Sequence, residues 1–294
     1  MTENSPNPER FSKDAPKMLI MNYPNNPTGL IPDKKTLEPL AKYFRENNWF
    51  ILSDEIYILN LFNQENFYSL SDLIPERTIV LGGISKWGAS GGWRVGFAAV
   101  PSFCQSWVPV VNSVISETIS CVPAPIQFAS VEAFRDSQEI DNFIMVSNSI
   151  LKKVGLYTAD RFRKMGADVW EPQGAFYLFP DFSSVLTPEI REKHGIHSGE
   201  DFQNQLFDIV GFAILPGSDF QRDSTEMSIR VSFIDFEGEK YMNFVMGKIE
   251  ALSCQAEKQK VILEILNNDF WNKFAPNIVE GLDKFEKFIN NLKN

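Results

Sequence analysis

The sequence predicts an α/β protein: a mostly parallel sheet in the first half, followed by a smaller α+β unit. Three observations carry this. Short apolar strands alternate with a helix between residues 17 and 82, the pattern of parallel pairing. A long helical region, reaching about Arg163, separates that part from one where short strands and helices mix. A rigid Pro/Asn/Gly turn, NYPNNPTG, follows the first strand directly. With 294 residues, 44% hydrophobic and 13% aromatic, the chain can bury a large core and is expected to form two domains.

In chain order, residues 1–16 are polar, Pro-containing and aperiodic, and are expected to form a disordered tail. Structure begins with a strand (Lys17 to Asn22), a helix (Asp33 to Asn47), a strand (Trp49 to Ser53) and a strand (Thr78 to Gly82), then one more strand from Arg94 to Val100. A helical region starts at Pro101, breaks around Cys121 to Pro125, and continues as one long helix to about Arg163. Strands are expected at Ala175 to Phe179, Phe212 to Leu215 and Ser228 to Ile234, with helices at Glu200 to Asp208 and Gly238 to Leu252. Two amphipathic helices, Glu257 to Leu266 and Asn277 to Leu292, close the chain. The expected division is 17–147 and 148–294, the two last helices being additions to the second domain.

A net charge of −10 with dispersed Lys and Arg argues against nucleic acid or an anionic membrane as partner, since both need concentrated basic patches. Small molecules are the expected ligands. Cys104, Cys121 and Cys254 are few and far apart, which suits free thiols in the cytoplasm. No uncharged apolar run approaches the ~18 residues of a membrane span.

Four stretches could carry chemistry. In FILSDEIY, residues 50 to 57, Asp54 ends a buried strand, with Glu55 next and Tyr57 beyond. Ligands bind at the carboxyl ends of parallel strands, but an acid there also serves as a helix cap. GGISKWGASGGWRVGF, residues 82 to 97, sets Lys86 after a strand among glycines, with Arg94 further along. A lysine in a desolvated pocket has its charged form disfavoured, so its amine can attack a carbonyl. An arginine fork suits phosphate, whereas a merely solvated Gly-rich loop is the plainer alternative. In SIRVSFIDF, residues 228 to 236, Arg230 alternates with Ile229, Val231 and Phe233. A buried guanidinium needs a partner, so a salt-bridged structural arginine competes with an anion-binding one. His194 and His197 form an H-x-x-H in a polar segment read as loop, with no third ligand nearby, and no metal site is expected. Trp87, Trp93 and the many phenylalanines are read as packing residues.

Together these elements resemble the fold-type I pyridoxal-phosphate enzymes, specifically the class I/II aminotransferases of the aspartate-aminotransferase type. The resemblance runs from about residue 17 to at least residue 253, includes the small-domain strand G-A-F-Y-L-F at 174–179, and weakens over the last two helices. It implies a PLP-dependent transferase fold with an incomplete large-domain sheet and pyridoxal 5'-phosphate as cofactor. By the same resemblance, Asn26 and Tyr57 contact the cofactor's phenolic oxygen, and Asp54 pairs with its ring nitrogen. Ser85 and Arg94 take the phosphate. Lys86 forms the Schiff base and then shuttles a proton during catalysis, and Arg230 clamps the substrate α-carboxylate.

The implied reaction is ping-pong transfer of an amino group between an amino acid and a 2-oxo acid, in a homodimer. A β-lyase, a cyclopropane-forming synthase and a non-catalytic remnant acting as a binding or assembly partner remain alternatives. In the family the N-P-T-G turn lies near mid-chain. Its upstream strands, phosphate-binding loop and ring-stacking aromatic are therefore expected from a preceding or partner chain. Gly83 stands where many relatives carry a phosphate-binding serine.

Overall fold

The computed structural model describes residues 17–63 and 67–293, so the expected N-terminal tail lies outside the described residues. The chain packs as two units, the first made of residues 17–23, 32–56 and 67–132, the second of 24–31, 57–63 and 133–293. This partition differs from the linear division at residue 147. Two segments of the first half belong to the second unit because backbone hydrogen bonds tie them there: Gln173 N–H donates to Gly29 O (2.9 Å) and Phe62 N–H to Gln173 O (2.9 Å).

The first unit is built on a four-stranded sheet, β1 (Lys17–Asn22), β2 (Trp49–Asp54), β3 (Thr78–Gly83) and β4 (Gly96–Ala99), in the order β1-β2-β3-β4. The first three strands are parallel and β4 is antiparallel to β3. Helix α1 (Lys34–Glu46) makes the β1–β2 crossover, its first turn capped by Asp33 Oδ1, which accepts from Thr36 N–H (2.8 Å). Leu37, Ala41 and Phe44 of α1 pack with Ile51, Leu70 and Ile74, and α2 (Leu70–Leu73) closes that side. Leu19 and Met21 of β1 face this core, whereas Met18 and Ile20, one residue out of phase, face solvent.

Beyond β4 the chain forms α3 (Val108–Thr118) and α4 (Ala124–Ala133), separated by the break expected near Cys121. Helix α3 buries none of its residues, and Val110, Val111, Val114, Ile119, Phe128 and Val131 are exposed. These apolar residues therefore do not belong to a core of this chain. Phe97, Phe103 and Phe128 are likewise exposed, though Phe103 stacks on Phe50 (5.7 Å), and Trp93 is solvent-facing, unlike the buried Trp87.

The second unit contains most of the buried side chains. Its axis is α5 (Gln138–Met165), capped by Ser137 and ended by Gly166 at φ +100°. The single long helix expected from Pro125 is thus two helices, α4 and α5, because Ser137 restarts the hydrogen-bond ladder as an N-cap. A three-stranded sheet, order β5-β7-β6, is formed by β5 (Tyr177–Leu178), β6 (Leu215–Pro216) and β7 (Ile229–Ser232). The strand expected at 212–215 is reduced to Leu215 and Pro216.

The segment expected to be loop around His194 contains a helix, α6 (Pro188–His194), with Thr187 as N-cap, Pro188 in its first turn and Gly195 at its end. Helix α7 (Gly199–Gln205) carries a capping box between Ser198 and Asp201 and continues into a π turn, Leu206–Val210. The last helices are α8 (Gly238–Ile249), α9 (Gln255–Asn267), α10 (Phe270–Phe274) and α11 (Pro276–Lys293). They are not appendages: Phe270, Phe274, Leu282, Phe285 and Ile289 are buried in the same cluster as Phe162 and Phe182 of the unit's centre. Among the described residues no helix is long and apolar enough to cross a membrane.

Candidate active site

In the second unit, Asn26, Tyr57 and Arg230 are drawn together around Tyr177. The turn carrying Asn26 is closed by Gly29 N–H donating to Asn25 O (2.7 Å) and by Thr28 Oγ1 donating to Asn25 Oδ1 (2.8 Å). Gly29 adopts φ +70°, a left-handed conformation that suits glycine. Asn26 Oδ1 accepts from Arg230 Nη1 at 3.3 Å. Tyr57 and Tyr177 are both buried, their hydroxyls 3.2 Å apart and their rings edge to face at 5.8 Å.

Arg230 is not the salt-bridged structural arginine that was the competing expectation. Its guanidinium carbon lies 4.9 Å from the Tyr177 ring centre and 5.2 Å from that of Phe220. Its Nε is buried without a hydrogen-bond partner, and no ion pair among the described residues includes it. A half-buried cation flanked by aromatic faces and one amide oxygen, with no ion-paired acid, retains its attraction for an anion from outside.

In the first unit, Asp54, Ser85 and Lys86 lie at the carboxyl ends of the parallel strands β2 and β3, with Arg94 on the way into β4. Asp54 does not cap a helix. Its Oδ1 accepts from Ile56 N–H (3.3 Å) in the turn that follows, while its carbonyl accepts from Asn22 Nδ2 (3.1 Å) and Tyr23 N–H (3.3 Å). The alternative cap reading therefore gives way to an acid presented at a strand end.

Lys86, half-buried, sits in a turn held by Gly88 N–H on Ile84 O (3.1 Å), Ala89 N–H on Lys86 O (3.2 Å) and Ser90 Oγ on Ile84 O (2.8 Å). Trp87 fixes the same turn by donating Nε1–H to Gly83 O (3.0 Å). Ala89 and Arg94 both hold positive φ, +48° and +54°, conformations costing about 1–2 kcal/mol each for a residue with a Cβ. Such strain concentrates at functional positions. Arg94 is exposed, with Nη1 donating to Gly91 O (2.9 Å).

One residue whose surroundings the sequence does not reveal is Glu55. It is buried, and its Oε1 accepts from Ser69 Oγ (2.6 Å) and Ser53 Oγ (2.8 Å). Ser53 Oγ also lies 3.2 Å from the Tyr23 hydroxyl, which in turn accepts from Leu70 N–H (2.9 Å). This network joins the ends of β1 and β2 just before and after Asp54. Burial pushes the Glu55 carboxyl above the ordinary carboxylate range, with the two serine hydrogen bonds opposing it. The available signal was an acid next to Asp54 at a strand end, but only the fold brings Ser69 to it.

His194 ends α6 and His197 follows it by three residues. His197 Nδ1 is 3.8 Å from Glu192, and His194 Nε2 is buried without a partner. Among the described residues no cluster of three or more His, Cys, Asp or Glu could hold a metal ion.

Residues 6–242 match the family model for aminotransferase class I and II. The aspartate aminotransferase of Bacillus sp. (strain YM-2) is 33% identical over 228 residues, covering 75% of this chain and 54% of that enzyme. The probable N-acetyl-LL-diaminopimelate aminotransferase of Bacillus subtilis (strain 168) is 32% identical over 252 residues, covering 86% of this chain and 58% of its own length. The crystal structure of an aromatic aminotransferase from Pyrococcus horikoshii OT3 superimposes with a TM-score of 0.68 at 24% identity, covering 97% of this chain and 62% of that one. At that identity the last match speaks for the fold alone.

The chain belongs to the class I and II aminotransferase family and has the type I pyridoxal-phosphate transferase fold. Members of this family use pyridoxal phosphate. The chain spans little more than half the length of the curated relatives it matches.

Proposed function

We propose that this chain supplies the carboxyl-terminal part of a pyridoxal-phosphate-dependent aminotransferase that moves an amino group between an amino acid and a 2-oxo acid in a ping-pong cycle. The observation that carries the proposal is Arg230, a cation walled by Tyr177 and Phe220 with no acidic partner, suited to the α-carboxylate common to these substrates. The donor set also fits the cofactor chemically: an amine (Lys86), an acid (Asp54), an amide and a phenol (Asn26, Tyr57), and a hydroxyl with a guanidinium (Ser85, Arg94). When bound, pyridoxal phosphate supplies an aldehyde carbon and an electron-withdrawing ring.

Each residue then has a task. Asp54 would keep the ring nitrogen protonated, Asn26 and Tyr57 would donate to the phenolic oxygen, and Ser85 and Arg94 would take the phosphate. Lys86 would hold the cofactor through its amine and, once freed, would move a proton at the substrate α-carbon. Arg230 orients the α-carbon by fixing the carboxylate beside it.

The open face of the first unit favours a further step in this reading. Both edge strands, β1 and β4, have one side unpaired within the sheet, and Ile119 and Phe128 are 72% and 76% exposed. An apolar surface of this kind fits the amino-terminal part of the fold, from a preceding segment or a separate chain, and the completed enzyme is expected to pair as a homodimer in the cytoplasm.

The test is direct. The chain is mixed with pyridoxal phosphate, reduced with borohydride, and digested for mass spectrometry, alone and with a chain bearing the amino-terminal part. A reduced pyridoxyl group on Lys86 is expected, stronger in the mixture. Its absence in both, with the chain folded, overturns the proposal.

A further inference from the structure

We propose that Phe220 is a positioning residue for Arg230, holding the guanidinium against Tyr177 so that the carboxylate clamp is formed before substrate arrives. The proposal rests on the reading of Arg230 as the carboxylate ligand.

The route of the chain explains how Phe220 reaches that place. Arg230 on β7 pairs with Leu215 on β6. After Pro216 the chain enters a 3-10 turn, Gly217–Phe220, instead of running on as a strand. Gly217 N–H donates to Ser228 O (2.8 Å), which fastens the turn to β7 two residues before Arg230. A Cβ there would collide with Ser228 Oγ, so the glycine lets the turn lie close against β7. The turn is closed by Gln221 in a left-handed conformation (φ +62°) and by Arg222 N–H donating to Gly217 O (3.1 Å). Arg222 also bridges to Glu226 across the next four residues at 2.8 Å.

Both aromatic walls are themselves held. The Phe220 ring meets Phe179 edge-on, centres 5.6 Å apart at 80°. Tyr177 is buried and tied through its hydroxyl to that of Tyr57. Two independently anchored rings therefore restrict the guanidinium, while the hydrogen bond from Nη1 to Asn26 is long at 3.3 Å. The chemistry of that choice matters. An acid in Phe220's place would compensate the half-buried cation but also compete with the incoming carboxylate. A ring face stabilises the cation through its quadrupole and brings no anion, so the full charge stays available. Fixing the fork beforehand also removes rotamer entropy from the binding step.

The experiment uses pyruvate as probe, because it presents little beyond the carboxylate and carbonyl that all 2-oxo acids share. Binding to the full 294-residue chain without cofactor is followed by ligand-observed NMR for the parent, Phe220→Leu, Phe220→Met, Phe220→Tyr and Arg230→Gln. Phe220→Leu and Phe220→Met are expected to weaken binding about five- to tenfold, the loss of one ring face. Phe220→Tyr, which keeps a ring, stays within about twofold of the parent. A role in folding alone would lower the urea midpoint of the aliphatic variants without this dependence on a ring. If Phe220→Leu and Phe220→Met bind as the parent does while Arg230→Gln abolishes binding, the positioning role is overturned and the carboxylate reading stands. If the parent does not bind pyruvate, or Arg230→Gln binds as well as the parent, the carboxylate reading falls and this proposal with it.

Discussion

A Cβ on Gly29 would stand 2.8 Å from the carbonyl oxygen of Tyr177, and Gly29 itself holds φ +70°. The turn that carries Asn26 and the strand that carries Tyr177 are thus in backbone contact at the one residue type that permits it. Gly29→Ala is expected to cost about 2–3 kcal/mol, from the left-handed strain and the backbone clash together. Urea denaturation reads this as a lower midpoint. An unchanged midpoint would mean that the turn relaxes away from Tyr177 without penalty.

Glu55 gives the chain a particular pH dependence. Its carboxyl, ordinarily near 4.5, is raised in the folded state, chiefly by burial. A raised folded pKa means that the folded protein binds the proton more tightly than the unfolded one. The stabilising effect of protonation is fully present below about pH 4.5 and is lost as pH rises through the raised value. Glu55→Gln keeps both serine hydrogen bonds and cannot ionise, so the parent should lose stability relative to this variant as pH increases across that window. Paired denaturation curves from pH 4 upward, on the order of five points, check the slope; parallel curves exclude the linkage.

Phe285 of α11 meets the rings of Phe162, Phe182 and Phe212 at 5.3, 5.3 and 5.1 Å, and is fully buried. Phe285→Ala is expected to destabilise the protein by about 3–5 kcal/mol, the lost transfer energy plus the cavity left behind. Removal of 276–293 should unfold the second unit outright, as judged by loss of the near-ultraviolet circular dichroism signal. A deletion variant that keeps that signal would show the helix to be dispensable.

The exposed apolar residues predict the opposite behaviour. Val114→Gln and Phe128→Gln together should shift stability by no more than about 0.5 kcal/mol, since both side chains are exposed in the chain described. They should nevertheless lower the binding of an apolar fluorescent dye and slow aggregation. A large loss of stability would instead place these side chains in a packed interface.

Much of this was legible in the sequence, and the limits have physical reasons. Strand β1 falls at Lys17–Asn22 as its period and the following turn predict, and α1 begins after its Asp33 cap. Helix α6 carried its own signals, Thr187, Pro188 and Gly195, but its polar composition masked them. The break between α4 and α5 is not legible in the sequence because Ser137 acts as a cap within a stretch that remains helix-permissive. Among the site residues, Lys86, Asp54 and Arg230 were visible as charges in apolar or glycine-rich surroundings. Glu55, Tyr177 and Phe220 were not, because their roles depend on Ser69, Tyr57 and Arg230, partners remote in sequence.

The sequence by itself determined most of the strand and helix order and the family, and singled out candidate side chains for chemistry, since these follow from local period, turn residues and side-chain type. Only the tertiary structure decided what surrounds those side chains. It set aromatic rings rather than a carboxylate against Arg230, buried Glu55 beside two serines, and drew the last helices into the core while leaving α3 bare. The reason is that environment is a non-local property: burial and partner choice arise when distant segments are packed together, and no window of sequence contains both sides of such a contact.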